Sequence, residues 1–360
     1  MRVGRRFGTS RHHAQRRGRR HRQQHLFETA RDLWQQLQPL RLGNGLREEV
    51  ALQRDVALAR QQRELRRALD ALGGDREAEA AAQLFSDLIG SQSAVFRKPV
   101  AEPGRNINLP TGEMEGRLNS RILPASFTVV DDPTQKEFRG KPLMGHFPVD
   151  LEGVAPQPVV VIEKGAFKNY LSTRTPTRDS KSSNGHARLP GSFGGYTAFA
   201  SNLFVKSDET IPADGMKKKL IELIQQRNKP YGLLVKKLDF PSSATFEELR
   251  GVLGGQGSRP APLPLLIYRV YPDGREELVR GLRFRGLNVR ALKDIVAAGS
   301  DEAQFDYMAN GAPFAVIGGG NYVFGCTTVA PSILFEDLEL ERPQVELPKL
   351  PVVPPPPMTV

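Results

Sequence analysis

From Ser126 onward the chain is a succession of short runs rich in β-branched and aromatic residues, punctuated by Gly, Pro, Asn and Asp. No other feature restricts the fold as much. FTVV, PVVVIE, GLLVKKLDF, PLLIYRVY, EELVRGLRF, PFAVIGG and SILFEDLELE all read this way. Side chains that branch at Cβ or carry rings pack well on a pleated surface, and the punctuating residues turn the chain between strands. Pro272-Asp273-Gly274 lies between two of these runs and predicts a hairpin turn. The ending FEDLELER, Phe335 to Arg342, alternates apolar and acidic residues, as a strand with one wet face requires. Helical patterns interrupt at Gly215 to Gln226 and at Asn288 to Ala298. The expected architecture is α+β: a helical N-terminal segment, then a large, mainly antiparallel, barrel-like β-sheet domain with a few helices.

Four divisions follow. Residues 1–45 form a basic arm read as a disordered tail, and residues 46–125 a helical segment with a crossing loop. Residues 126–342 form the β-rich domain and residues 343–360 a Pro-rich tail. Within the second division, Leu46 to Leu72 reads as one long helix stopped by Gly73 and Gly74. Arg76 to Gly90 reads as another, with Ala82, Phe85, Leu88 and Ile89 as its buried positions. A chain of 360 residues is long enough to bury a real core.

The net charge of +11 is concentrated at one end, because residues 1–25 hold nine arginines and no acid, which leaves about +2 for the rest. Such an arm can bind phosphates by releasing counterions, but a solvated tail is the plainer reading, and nucleic acid is not expected as a partner. His12, His13, His21 and His25 lie in the same arm, where a His-rich tract can take up metal adventitiously. Cys326 is the sole cysteine, which excludes an intramolecular disulfide and suits a reducing cytoplasm. No apolar run reaches the ~18 residues of a membrane span, and no signal-peptide stretch opens the chain. A cytoplasmic protein without a membrane partner is expected.

The segment AAAQLFSDLIGSQ, Ala80 to Gln92, matters most for chemistry. Together with FTVVDDP (Phe127 to Pro133), DLEGVAPQPVVVIEKGAFKNYL (Asp150 to Leu171), PLLIYRVYPDGREELVRGLRFRG (Pro264 to Gly286) and VAPSILFEDLELER (Val329 to Arg342), it resembles the TldD/PmbA family of metallopeptidases, also called modulators of DNA gyrase. The resemblance runs from near Ala78 to about Pro348 and omits the family's first α/β domain. Active members carry HExxxH on the helix. Two imidazoles on adjacent turns can face one zinc ion, while the Glu takes a proton from metal-bound water. The spacing is one residue longer than HExxH, and the resemblance implies a helix irregularity that absorbs it. Here Ser86 and Ser91 stand where the histidines would be, and Asp87 where the Glu would be. A serine hydroxyl keeps its proton at neutral pH and is a poor zinc ligand.

The family's third ligand is a cysteine in a Gly-rich segment. Cys326 lies in the similar GGGNYVFGCTTVAPS, but too close to Pro331 to match, so it reads as a small buried hydrophobe. NGHARLP, Asn184 to Pro190, is similar to a substrate-side loop, which carries a substrate-binding role onto Gly185 and Arg188. His186 departs from that loop and reads as a solvated histidine. Gly318-Gly319-Gly320 reads as a tight connection and not a phosphate loop, and Lys217-Lys218-Lys219 as a solvated helix face.

The resemblance implies a metallopeptidase-related protein that has lost its zinc. It would be a non-catalytic subunit without cofactor, paired with a metal-bearing relative or with itself as a dimer, in an assembly that processes unfolded peptides. Two alternatives remain open. One is an active zinc peptidase with ligands rebuilt from Asp87, His146, His186 or Cys326. The other is a nucleic-acid-binding protein acting through the basic arm.

Overall fold

The computed structural model describes residues 76–94, 113–190, 196–240, 261–310 and 323–342. All belong to the compact unit Gly74–Val360. The basic arm, the helix expected at 46–72, the strand expected at 313–319, Gly318 to Gly320 and the Pro-rich tail lie outside the described residues.

Helix α1 spans Arg76–Phe85 and passes directly into a π-helical turn, Ser86–Gly90. Alanine and leucine favour the helix, and small side chains let it lie deep. Ala80, Ala81, Ala82, Leu84 and Phe85 are buried, as are Leu88 and Ile89 of the π turn. The four positions expected to face the core therefore all do. The helix lies against strands from two different sheets, so no face is left for charge beyond its first turn.

Fifteen strands follow among the described residues. They are β1 (Phe127–Asp131), β2 (Glu137–Phe138), β3 (Lys141–Pro142), β4 (Val159–Glu163), β5 (Ala166–Phe167), β6 (Ala187–Pro190), β7 (Tyr196–Ala198) and β8 (Asn202–Ser207). After helix α2 (Ala213–Gln226) come β9 (Gly232–Leu238), β10 (Pro264–Val270), β11 (Glu276–Val279), β12 (Arg283–Phe284), β13 (Ile295–Asn310), β14 (Val323–Phe335) and β15 (Leu340–Glu341). The main sheet runs β13-β14-β8-β1-β4-β5 and a second runs β11-β10-β9. All main-sheet neighbours are antiparallel except β14 and β8, which pair in parallel. The architecture is α+β with a large, mostly antiparallel mixed sheet. The turn at Pro272-Asp273-Gly274 joins β10 to β11, with Gly274 at φ +83° and the Asp273 carboxylate accepting from the Arg275 N–H at 3.0 Å.

One expected element is different. The helix read at Asn288 to Ala298 is a 3-10 turn, Val289–Asp294, opened by the Asn288 side chain accepting from the Arg290 N–H at 2.8 Å. From Ile295 the chain becomes the sixteen-residue strand β13. The acids of SDEAQFDYMAN mask its alternation, and the register shifts between Ala298 and Glu302. Only from Phe305 on does every second residue turn inward, and pairing with β14 overrides the weak local pattern.

Gln83, buried on α1, stitches the helix to the second sheet. Its Oε1 accepts from the Leu238 N–H at 2.7 Å, and its Nε2 reaches the Phe240 carbonyl at 3.5 Å. Phe85 meets Phe127 of β1 at a ring separation of 6.5 Å and anchors the helix on the main sheet. Replacing Phe85 with alanine should lower unfolding free energy by about 3–5 kcal/mol, measured by urea denaturation. An unchanged midpoint would mean that α1 is not seated on the sheet.

Candidate functional site

The π turn sets the geometry of the site. The Ser91 N–H donates to the Ser86 carbonyl at 3.1 Å, five residues back. In a regular α-helix residues five apart point about 140° away from each other. The wider turn brings Ser86 and Ser91 onto one side, which is the irregularity a two-ligand motif with three intervening residues and a Glu needs. Ser86 is fully buried, with Oγ 2.7 Å from the Ala82 carbonyl, to which it donates, and 2.7 Å from Thr328 Oγ1 on β14. The Ser91 hydroxyl donates to the Asp87 carbonyl. Asp87 is buried beside them.

Facing this turn is a pair that the sequence alone did not join to it. Tyr307 on β13 and Cys326 on β14 are direct cross-strand partners. The Tyr307 hydroxyl lies over the turn, 3.8 Å from where a Cβ on Gly90 would stand. Cys326 is buried and donates to the Ala200 carbonyl at 3.3 Å. It does behave as a small core residue, packed with Phe240, Tyr307 and Ala309. Spacing from Pro331 had set it apart from the degenerate motif, and on β14 it is Thr328, two positions further on, that bonds Ser86. Tyr307 carried no motif signal; its only mark was alternation with Phe305 and Ala309 on β13.

Behind this pair lies Asp131, at the end of β1. Its buried carboxylate accepts from the Ser201 N–H (2.9 and 3.0 Å) and from Ser201 Oγ (2.7 Å). His186 Nε2 lies 2.9 Å from the same carboxylate, with its N–H aimed off the oxygen, while Nδ1 is 3.0 Å from both Asn184 oxygens. His186 is therefore a fully buried partner of Asp131 and not a solvated loop residue. Just before β6, the His186 carbonyl accepts from the Phe199 N–H at 3.2 Å.

Gly185 and Arg188, the expected substrate-side positions, are buried on either side of His186. Gly185 has φ +75°, and a Cβ there would lie 2.5 Å from Pro156 Cα, so only glycine fits. The Arg188 guanidinium is sandwiched between the rings of Phe147 (4.5 Å) and Phe324 (4.6 Å) and donates to the carbonyls of Gly145 (3.1 Å) and Gly325 (2.6 Å). It joins the 145 loop to β14 next to Cys326. His146 points elsewhere, with Nδ1 2.8 Å from the Pro133 carbonyl. Lys217, in the run read as a solvated face, pairs with Glu276 at 2.6 Å.

With this geometry in hand, comparison with known proteins identifies the scaffold. Residues 77–245, beginning in α1, match the model of the PmbA/TldA metallopeptidase C-terminal domain. This stretch, just under half of the chain, is assigned to the PmbA/TldD family. A protein named metalloprotease from Archaeoglobus fulgidus is 37% identical over 78 residues, which make up 22% of this chain and 17% of that protein. TldE from Thermococcus kodakarensis is 17% identical with a TM-score of 0.42, over 72% of this chain and 48% of that one. A proposed modulator of a DNA gyrase from Thermotoga maritima is 18% identical with a TM-score of 0.41, over 64% and 42%. The chain thus spans less than half the length of each of these relatives.

The residues that this chain places at the motif do not fit a zinc ion. Serine hydroxyls are neutral donors, and those of Ser86 and Ser91 are bonded to backbone carbonyls. Burial pushes the Cys326 thiol up to about 12, against the draw of Arg188, so no thiolate is at hand. Among the described residues, no three His, Cys, Asp or Glu side chains gather as a metal site would need; Asp87, His146, His186 and Cys326 do not converge.

The thiol also sets an alkaline limit on stability. In the folded chain its pKa lies above the ordinary value of 9.0, at about 12. Below pH 9 it is protonated whether the chain is folded or not and gives no slope. Between these values the unfolded chain loses the proton first and binds fewer protons than the folded one. Stability then falls, by up to about 1.4 kcal/mol per pH unit. Tyr307, raised by burial as well, adds to the fall at higher pH. Urea midpoints of the wild type and a Cys326→Ala variant, compared at pH 8 and pH 11, should diverge, with the wild type losing more. Parallel losses would place the thiol in contact with water.

Proposed function

We propose that this metallopeptidase-related chain is a zinc-less, non-catalytic subunit of a peptide-processing assembly. The observation that carries the reading is the retained π turn. It still sets positions 86 and 91 over one spot, but fills them with hydroxyls bonded to the protein itself. A helix built for two metal ligands keeps its shape because that shape is packed on all sides, even after the ligands are gone. The role left to the chain is structural, in the cytoplasm. It pairs with a metal-bearing relative or with a second copy of itself and helps enclose an unfolded peptide. In this reading Gly185 and Arg188 shape the substrate side from beneath, through the close turn at Pro156 and the clamp between Phe147 and Phe324.

Zinc should be counted by mass spectrometry on the tag-free full chain and on an Asp87→Ala variant. No zinc that the variant loses is expected, and zinc common to both belongs elsewhere, the four histidines before residue 26 included. The chain alone should show no chelator-sensitive cleavage of unfolded peptides. About one tightly held zinc per chain that disappears with Asp87 would overturn the proposal, and so would chelator-sensitive peptidase activity.

A further inference from the structure

Away from the π turn, helix α2 packs closely on β9 at Gly232. A Cβ on that glycine would stand 2.8 Å from Leu220 Cδ1 and 2.9 Å from Ile224 Cδ1. Beside this contact, α2, β9, the end of β14 and one face of α1 line a groove of about 540 Å³. Ala81 and Leu84 of α1 lie buried along it. Leu223, Leu234, Ile333 and Phe335 line it as well but are only half-buried. The volume falls among those of small-ligand sites, roughly 300–1,000 Å³. Aliphatic side chains left half in water gain free energy when a hydrocarbon covers them.

The charges on the rim narrow the ligand further. Arg227 pairs with Glu336 and Asp337, Arg285 with Glu339 and Glu341, and Lys217 with Glu276. Every acid that lines the groove is thereby neutralised, and so is every base but one. Lys229 has no ion pair among the described residues. Its N–H donates to the Ile224 carbonyl at 2.9 Å, which fixes it just past the end of α2, on the groove. A lysine in such a place lays its four-carbon stem along apolar surface and keeps its ammonium in water. Paired rim charges offer no single-sign field to a polyanion, whereas one free cation suits one negative charge.

We infer that this groove binds a single-chain amphiphile with one anionic head, a long-chain carboxylate. Its hydrocarbon tail lies along Leu223, Leu234, Ile333 and Phe335, and its carboxylate meets the Lys229 ammonium. The tail supplies most of the affinity by leaving water, and the lysine fixes which end stays at the mouth. This goes beyond the zinc-less reading and does not depend on it, because no residue of the π turn lines the groove.

The test titrates the full chain with cis-parinaric acid, a polyene fatty acid whose fluorescence rises when it leaves water, and displaces it with laurate. The wild type should show one saturable site. Leu223→Trp, which puts a ring into the groove, should abolish it. Lys229→Glu changes an exposed residue and should weaken laurate about tenfold. Dodecanol, the same chain without the charge, should compete less well than laurate on the wild type, and that difference should vanish on Lys229→Glu. Urea midpoints check that both variants fold; where Leu223→Trp does not, Lys229→Glu decides alone. A wild type without a saturable site overturns the inference. Binding that the folded variants leave unchanged overturns it too, since the fatty acid then sits elsewhere, the nine arginines before residue 26 included.

Discussion

The seating of one buried π turn on the β13–β14 pair is the constraint on which the rest of this domain depends. A π turn is costly in isolation and survives only where its surroundings hold it. Here Ser86 is bonded to Thr328 of β14, Gln83 to the backbone of β9, and Phe85 packs on Phe127 of β1. Each link reaches a different strand. Straightening the helix would move Ser86 away from Thr328 and bury its hydroxyl against carbon, at the cost of an unmade hydrogen bond in the core.

That seating explains how the turn keeps its shape with serines at both positions. The side chains that would bind a metal touch few atoms, and losing them costs little if hydrogen bonds replace coordination. The turn itself is held by two sheets. Asp131 acts in the same way one layer further back. A buried carboxylate is tolerated because Ser201 supplies two donors and His186 lies against it, which offsets the loss of water. The same cluster fixes the entry to β6, and Arg188 from that strand reaches across to β14. The π turn, β14 and the loop from Asn184 to Arg188 are thus mechanically connected.

Much of this was legible in one dimension. The burial of Ala82, Phe85, Leu88 and Ile89 follows from helical period, the β10–β11 turn from Pro-Asp-Gly, and most strands from β-branched runs. The weak points share a cause. His186 read as solvated because its neighbours are Gly, Asn and Arg, and nothing local shows that Asp131, fifty-five positions away in sequence, waits in the core. β13 was hidden by its acids, which face outward along a long strand. Cys326, by contrast, read as a small buried hydrophobe, and it is one, packed with Phe240, Tyr307 and Ala309.

The sequence by itself determined the α+β class, the helix with serines at both ligand positions, and the absence of a good zinc donor there, because helical period and hydroxyl chemistry are local properties. Only the tertiary structure decided that the turn is π-helical, that Tyr307 lies over it, and that Asp131 and His186 stand behind them. Those are matters of pairing register and burial. A strand's partner is chosen by long-range packing, and a buried polar group is permitted only by the donors that the rest of the chain brings to it.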